Sequence, residues 1–223
     1  MIFRRFVLLA LLALFGGAAF AAPAHRAHAG LPAPAPIPLA DTVRVAMVTT
    51  LGTITVDLDG RHAPITAANF LRYVDARRFD GMTFYRAMHL AWGDQPNGLI
   101  QTGQRDPRAV FAPIAHEPTT VTGLSHKVGA LSMARNAPGT AQGSFSILLS
   151  DLTGLDADPK AADADARAGY AVFGHVVGGM DVVRAIWDQP LSPTAGEGVM
   201  RGQMLVDPVK VLTVRRVPIP PTP

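Results

Sequence analysis

Residues 43–58 have the sequence VRVAMVTTLGTITVDL, which carries the clearest structural pattern in the chain. Apolar side chains take every second position on both sides of a short turn: Val43, Val45, Met47, Ile54, Val56 and Leu58. The turn, residues 49–52, contains Gly52. Two runs of period two around a glycine-bearing turn predict a β-hairpin.

Six further short segments downstream have the composition of strands. They are Thr83–Arg86, Leu99–Thr102, Ala130–Arg135, Phe145–Leu149, Ala171–Val177 and Val209–Val214. Helical spacing of apolar residues appears in only two places, Pro64–Ala76 and Met180–Trp187, and Pro64 suits a first helical turn. Many short strands with only two helices predict an antiparallel barrel or sandwich, and we find no internal repeat.

The chain begins with the three parts of an export signal. Residues 1–21 have a basic start (Arg4, Arg5), an unbroken apolar run over Phe6–Leu14 and an Ala-x-Ala site at residues 19–21. This order predicts a secretory signal peptide. A transmembrane anchor is the alternative, but the apolar run is short for one and Gly16-Gly17 interrupts it.

The rest of the chain divides into a spacer, one domain and a short tail. Residues 22–41 are rich in Pro and Ala, which predicts an extended linker. Residues 42–217 form the expected folded domain, and residues 218–223 a Pro-rich tail. Among the 223 residues no stretch after the signal reaches 18 consecutive apolar residues, so no membrane association is expected after signal cleavage.

Composition excludes several classes of function. The absence of cysteine excludes disulfide scaffolds, thiolate zinc sites and cysteine nucleophiles. The net charge of +3 includes Arg4 and Arg5, so the exported domain is nearly neutral and no nucleic-acid partner is expected. The phosphate-loop, G-x-G-x-x-G, H-E-x-x-H and G-x-S-x-G motifs are absent. The acidic residues 155–165 lack the central Gly and closing Glu of a calcium loop, so no metal is expected.

Four segments, in their order and spacing, resemble the cyclophilin-type peptidyl-prolyl isomerases. They are residues 69–86, which include Asn69-Phe70 and Phe84-Tyr85-Arg86, and then residues 99–103, 126–135 and 169–183. The resemblance covers Val43 to Val214. It implies a mainly β fold, a closed eight-stranded antiparallel β-barrel capped by two α-helices, and no cofactor.

Prolyl isomerisation needs a catalyst that binds the twisted peptide better than either planar form. A fixed cation can do so by donating a hydrogen bond to the proline nitrogen, and Arg remains charged at any working pH. The resemblance assigns this role to Arg86. It also implies that Gln101 orients Arg86 and bonds the substrate backbone, and that Ala134 and Arg135 pair with an extended substrate.

The predicted proline pocket departs from the family pattern. Ser144 falls where the family has a substrate-binding Gln, Ser146 where it has a pocket Phe, and Gly154 where it has Trp or Phe. Phe145 is expected in the barrel core. Sliding the alignment by one residue would bury two serines, so we reject that register. The remaining positions assigned to substrate binding by resemblance are Leu99, Leu155 and Tyr170.

The segment Ala87–Ile100 is longer than the familiar family version and contains Trp92. Two interpretations stay open for Trp92. It covers the pocket and replaces the missing aromatic surface, or it is an exposed side chain on a variable loop.

The sequence therefore predicts a peptidylprolyl isomerase (EC 5.2.1.8) that assists the folding of exported proteins, with full activity or with a reduced or narrowed one. Its expected partners are Pro-containing segments of client proteins, its expected state a monomer and its expected location the periplasm. The alternative is a catalytically weak module that binds such segments as a chaperone or adaptor. Arg86 and Gln101 favour the enzyme, whereas Ser144, Ser146 and Gly154 favour the alternative.

Overall fold

The computed structural model describes residues 39–220. The predicted signal peptide, most of the predicted linker and the last three residues of the predicted tail lie outside the described residues. Within them, no helix is long and apolar enough to span a membrane.

Nine strands and four helices make up the described domain. The strands are β1 (Thr42–Thr49), β2 (Gly52–Asp59), β3 (Thr83–His89), β4 (Gly98–Gly103), β5 (Ala130–Met133), β6 (Ser144–Leu148), β7 (Ala171–Gly178), β8 (Leu191–Ser192) and β9 (Met204–Arg216). The helices are α1 (Pro64–Asp75), α2 (Thr119–Thr122), α3 (Ala164–Ala168) and α4 (Met180–Trp187). Single 3₁₀ turns occur at Thr153–Leu155 and Gly198–Met200.

Eight strands close into an antiparallel barrel. Their order is β1-β2-β7-β5-β6-β4-β3-β9, and β9 returns to pair with β1. The two-residue β8 pairs only with β9 and stands outside the ring. The predicted mainly β barrel with two longer helices is confirmed, as is the β1–β2 hairpin, in which Thr49 faces Gly52.

Inward-facing apolar side chains alternate with outward-facing side chains along the strands, and the inward-facing ones together fill the barrel with one continuous core. Phe70 of α1 lies at its centre, fully buried. The Phe70 ring centroid lies 5.0 Å from that of Phe79, 5.1 Å from that of Phe145 and 5.5 Å from that of Phe173. These tilted and edge-on arrangements are the ones that aromatic rings prefer. A single helical residue therefore joins α1 to β6, β7 and the turn before β3.

Helix α1 has its N-terminus stabilised by a distant carboxylate. Its N-cap residue, Ala63, offers no side-chain acceptor. Glu117, 7% exposed, accepts hydrogen bonds from the backbone N–H of Ile65 (3.0 Å) and of Thr66 (2.6 Å) and from the Thr66 hydroxyl (2.6 Å). A negative charge at a helix N-terminus also interacts favourably with the helix dipole.

The two ends of the domain leave the barrel side by side. Val45 of β1 pairs with Arg216 of β9, and the Val217 N–H donates to the Arg44 carbonyl at 3.0 Å. The seam that closes the barrel is thus also where the chain enters and leaves it.

The largest differences from the sequence-based boundaries are at β9, at β3, which continues to His89, and at β5. Strand β9 begins at Met204 instead of Val209, because its pairing with β3 shifts register: Phe84 faces Val209 and Arg86 faces Met204. Pro208 lies within this irregular stretch. Strand β5 ends at Met133, so Ala134 and Arg135 follow it. The elements β8, α2 and α3 were not predicted, because segments of two to five residues are too short to show a period.

Candidate active site

A line of polar side chains crosses four neighbouring strands on the outer face of the barrel. Arg86 of β3 pairs with Gln101 of β4, Gln101 with Ser146 of β6, and Ser146 with Ser132 of β5. Directly paired residues in an antiparallel sheet point to the same face. The four side chains therefore lie in one row, and all of them line the same groove.

The guanidinium of Arg86 is held by two carboxamides. Its Nη1 donates to Oε1 of Gln101 at 2.7 Å, and its Nε and Nη2 donate to Oε1 of Gln203 at 2.8 and 2.6 Å. Within residues 39–220, no carboxylate lies within ion-pair distance of Arg86. Three of its five N–H donors are used, so two remain for a ligand.

Burial in the groove lowers the pKa of the Arg86 guanidinium, because water stabilises the cation better than the protein interior does. An arginine starts from so high a pKa that it nevertheless stays protonated at any working pH. The groove therefore contains a fixed positive charge that its two neutral partners orient without cancelling.

All nine residues that the resemblance assigns to the site line this one groove, whose volume is about 1160 Å³. They are Arg86, Leu99, Gln101, Ala134, Arg135, Ser144, Ser146, Leu155 and Tyr170. Their proximity is a finding, and their individual roles in binding and catalysis remain predictions.

The register chosen for the β6 segment is the one observed. Phe145 is fully buried in the barrel core, and Ser144 and Ser146 face the groove. At Gly154 nothing lies within 4 Å of where a Cβ would be, so the position of the family aromatic residue is open space. Gly98 differs, because a Cβ there would collide with the Met88 carbonyl. Strands β3 and β4 are too close at that point for any side chain.

The part of the groove around Leu99 is aliphatic. Met88, Leu99 and Leu155 line it. Leu99 belongs to a small cluster outside the barrel core, with Ala130, Leu148, Leu152 and Val172. Met88, near the end of β3, and Leu90, at the start of the long β3–β4 connection, pack against this cluster. The long connection therefore adds aliphatic surface next to the predicted proline pocket.

Trp92 is 65% exposed and does not line the groove. Its carbonyl accepts a 2.5 Å bond from Asn97 Nδ2, and the Ser150 hydroxyl donates to Asn97 Oδ1 at 2.6 Å. The hypothesis that Trp92 covers the pocket is wrong. The loop is held by its polar groups and directs the indole into solvent.

Arg135 forms part of one groove wall. Its guanidinium stacks on Tyr170, with Cζ 4.6 Å from the ring centroid, and donates to the Gly169 carbonyl and to Asp165. The side chain is thus used inside the protein. The Ala134 N–H donates to the Ser144 carbonyl, whereas the Arg135 N–H has no acceptor among residues 39–220. A substrate backbone can therefore pair at Arg135 more readily than at Ala134.

A buried hydrogen-bonded chain supports the floor of the groove at Ser132. Asp156 accepts from Nδ1 of His126 at 2.5 Å, and Nε2 of His126 lies 2.9 Å from the Ser132 hydroxyl. His126 is fully buried, and burial lowers its pKa more than the attraction of Asp156 raises it. At neutral pH the imidazole is therefore uncharged, and the tautomer that fits donates to Asp156 and accepts from Ser132.

Sequence reasoning missed Ser132, Gln203, Met88 and the supporting His126. His126 and Ser132 lie in a matching segment, but nothing in that segment indicates a role for their side chains. Gln203 is 117 positions from Arg86, and only the irregular pairing of β9 with β3 brings them together. No local pattern around it indicates this contact.

Comparisons with known proteins agree with this geometry. The family model described as cyclophilin type peptidyl-prolyl cis-trans isomerase/CLD matches residues 44–215. A peptidyl-prolyl cis-trans isomerase of Acinetobacter baylyi is 37% identical over 182 residues, which cover 79% of this chain and 86% of the relative. Peptidyl-prolyl cis-trans isomerase cyp18 of Streptomyces antibioticus is 35% identical over 147 residues, 64% of this chain and 81% of the relative.

Among solved structures, a cyclophilin type peptidyl-prolyl cis-trans isomerase of Cryptosporidium parvum has the same fold. It superposes with a TM-score of 0.62 at 18% identity and covers 80% of this chain and 99% of its own. The match over residues 44–215, together with the Acinetobacter relative, shows that the chain belongs to the cyclophilin-type peptidyl-prolyl cis-trans isomerase family.

Proposed function

We propose that this cyclophilin-type peptidyl-prolyl cis-trans isomerase accelerates rotation about Xaa–Pro bonds while exported proteins fold. The observation that carries the proposal is the uncancelled charge of Arg86, fixed by Gln101 and Gln203 with two N–H groups to spare.

Rotation about an amide has a barrier of about 18–20 kcal/mol, because the bond's partial double-bond character must be lost. As the bond twists, the nitrogen lone pair localises and becomes a hydrogen-bond acceptor. Donors already aimed at that point stabilise the twisted state more than either planar isomer. Arg86 supplies such donors and moves no proton, so the step needs no nucleophile.

The groove supports binding of an extended peptide around the proline. The proline ring fits against Met88, Leu99 and Leu155, and the Arg135 N–H offers a backbone contact. An aliphatic wall lacks the area that the family Phe would bury, up to about 3 kcal/mol for a fully buried side chain. We therefore expect weaker binding, or a narrower range of residues next to proline.

Export is proposed from residues 1–21, whose basic start, apolar run and Ala-x-Ala site form a signal peptide. The periplasm is the proposed location, and the protein acts as a monomer on Pro-containing client segments. Mass spectrometry of the protein from a periplasmic fraction should show a chain that begins at Ala22. A full-length chain retained in the cytosol would contradict export.

A second function is favoured by one specific observation. Ser146 lies at the position of a pocket Phe, and Gly154 leaves open space where an aromatic residue is expected. A groove that lacks aromatic side chains at these two positions could hold Pro-containing segments with little turnover. The protein would then serve as a binding module.

The deciding experiment is a protease-coupled isomerisation assay on Xaa-Pro peptides. Replacing Arg86 by Ala should lower kcat/KM by about 100-fold or more, the usual cost of losing a preorganised donor. Arg86→Lys should also be poor, because one ammonium cannot keep three hydrogen bonds to two amides and still present a donor. The exposed Arg61→Ala is the matched control and should keep full activity.

Wild-type activity at the uncatalysed level, with peptide binding intact in calorimetry, would favour the binding module over the enzyme. Equal activity of wild type and Arg86→Ala would remove Arg86 from the mechanism.

A further inference from the structure

The segment between α4 and β9 supplies the second partner of Arg86. After β8 the chain makes a 3₁₀ turn at Gly198–Met200 and reaches Gln203, directly before β9. Glu197, Val199 and Met200 of this segment line the groove, but Gln203 does not. Gln203 therefore contacts Arg86 from outside the groove lining.

Gln203 is held in place by its own backbone and side chain. Its N–H donates to the Met200 carbonyl at 3.1 Å, and its carbonyl accepts from the Ala87 N–H at 3.0 Å. Its Nε2 donates to the Val199 carbonyl at 2.8 Å. Because the amide nitrogen is engaged there, the amide oxygen is directed at Arg86.

The bond pattern restricts the guanidinium in a way that Gln101 alone would not. One contact through Nη1 leaves the group free to rotate about that contact. The paired donation from Nε and Nη2 to a single oxygen fixes the guanidinium plane along a second edge. Both acceptors are neutral amides, so the orientation is set without an opposing charge.

We propose that Gln203 is a positioning residue, whose amide oxygen fixes the Arg86 guanidinium so that its two remaining N–H groups face the proline of a bound peptide. The inference deepens the proposed isomerase function and rests on it. A misplacement of about 1 Å at a reacting centre can cost up to about 100-fold in rate, which makes such orientation consequential.

The test compares Gln203→Met with Gln203→Glu. Methionine has nearly the same length and no comparable acceptor, whereas glutamate keeps an acceptor at the same reach. Gln189→Met, just after α4, is the control, since among residues 39–220 the Gln189 side-chain amide bonds only to the Ala185 carbonyl and it lies outside the groove. Backbone amide spectra show whether each variant remains folded.

The first readout is the Arg86 Nε–H signal in NMR, which does not depend on activity. In the wild type it should be protected from exchange with water, in Gln203→Met it should exchange rapidly, and in Gln203→Glu protection should return. The second readout is kinetic. Gln203→Met should lower kcat by about tenfold while KM changes by less than about twofold, because ground-state contacts are untouched.

A protected Nε–H signal together with an unchanged kcat in Gln203→Met would overturn the inference. A rise in KM alone would also overturn it, since Gln203 would then only shape the groove wall. If the wild type proves inactive, the isomerase proposal fails by itself, and the NMR comparison still decides whether Gln203 orients Arg86.

Discussion

The positive charge of Arg86 is not neutralised, because its partners are amides. A carboxylate at either position would hold the guanidinium as firmly and would cancel the field that a twisted peptide needs. Gln101 of β4 and Gln203, directly before β9, orient the Arg86 guanidinium without neutralising its charge. Because its partners are neutral, the half-buried guanidinium can still stabilise negative charge on a bound ligand.

His126 makes the stability of the groove floor depend on pH. Its pKa in the folded protein is lower than in the unfolded chain, so the unfolded state binds more protons in the acid range. Its contribution to the free energy of unfolding is complete above a pH of about 6.5 and is lost as the pH falls below it. Asp156, whose pKa is also lowered, contributes only to losses in more acidic solution.

The first prediction is therefore that urea unfolding gives a smaller free energy at pH 5 than at pH 7. His126→Gln should be less stable than the wild type at pH 7, by about 1–3 kcal/mol, because buried hydrogen bonds are disrupted. Its free energies of unfolding at pH 5 and pH 7 should also differ much less than those of the wild type, which show the full difference. His175→Gln is the exposed control and should keep it. An unchanged pH dependence in His126→Gln would show that other groups cause it.

Resemblance to a family was sufficient to predict Arg86 and Gln101, because both lie in short segments whose order matches. It was insufficient for Gln203, directly before β9, and for Met88, near the end of β3, because neither lies in a matching segment. A motif identifies a residue by its neighbours in sequence. Gln203 reaches Arg86 only because β9 starts at Met204, and that start depends on the register shift after Phe84.

At the scale of single elements, α1 shows how a helix can depend on a residue far along the chain. Its own N-cap position holds Ala63, so Glu117 satisfies the free backbone N–H groups from a loop about 50 positions later. The periodicity of apolar residues was enough to predict the helix. The identity of its cap was not predictable, because nothing near Pro64 indicates which loop reaches it.

Glu117→Ala should destabilise the protein by about 1–3 kcal/mol, since the buried N–H groups of Ile65 and Thr66 lose their acceptor. Glu117→Gln retains one acceptor oxygen and should cost less. Chemical denaturation monitored by far-ultraviolet circular dichroism measures both. If Glu117→Ala has wild-type stability, water has replaced the carboxylate and the cap has no structural importance.

On the scale of the whole molecule, the short strands predicted an antiparallel barrel or sandwich, and the resemblance to the family narrowed this to the closed barrel that is observed. The extent of β9 could not be predicted, since Pro208 interrupts its pattern while its flanking residues still pair with β3 and β8. The barrel tolerates this irregularity because β9 pairs with β3 both before and after Pro208.

A substitution at Phe70 tests whether the barrel and its helices unfold as one unit. Phe70→Ala should lower the free energy of unfolding by about 3–5 kcal/mol, the usual cost of a large cavity in a closely packed core. Because its ring contacts Phe79, Phe145 and Phe173, fluorescence and circular dichroism should still report one coincident transition. Val121→Ala, 78% exposed, should change stability by less than about 0.5 kcal/mol. Separate transitions in the Phe70 variant would mean that α1 and the barrel fold independently.

The adjacency of β1 and β9 makes this domain suitable for rearranging the order of its chain. A short linker between residues near Thr42 and Val217 could join the existing ends, because the Val217 N–H already contacts the Arg44 carbonyl. New ends could then be opened in the exposed connection around Trp92, which would give a circular permutant. The same adjacency would let the whole barrel be inserted into a surface loop of another protein without separating the two halves of its host.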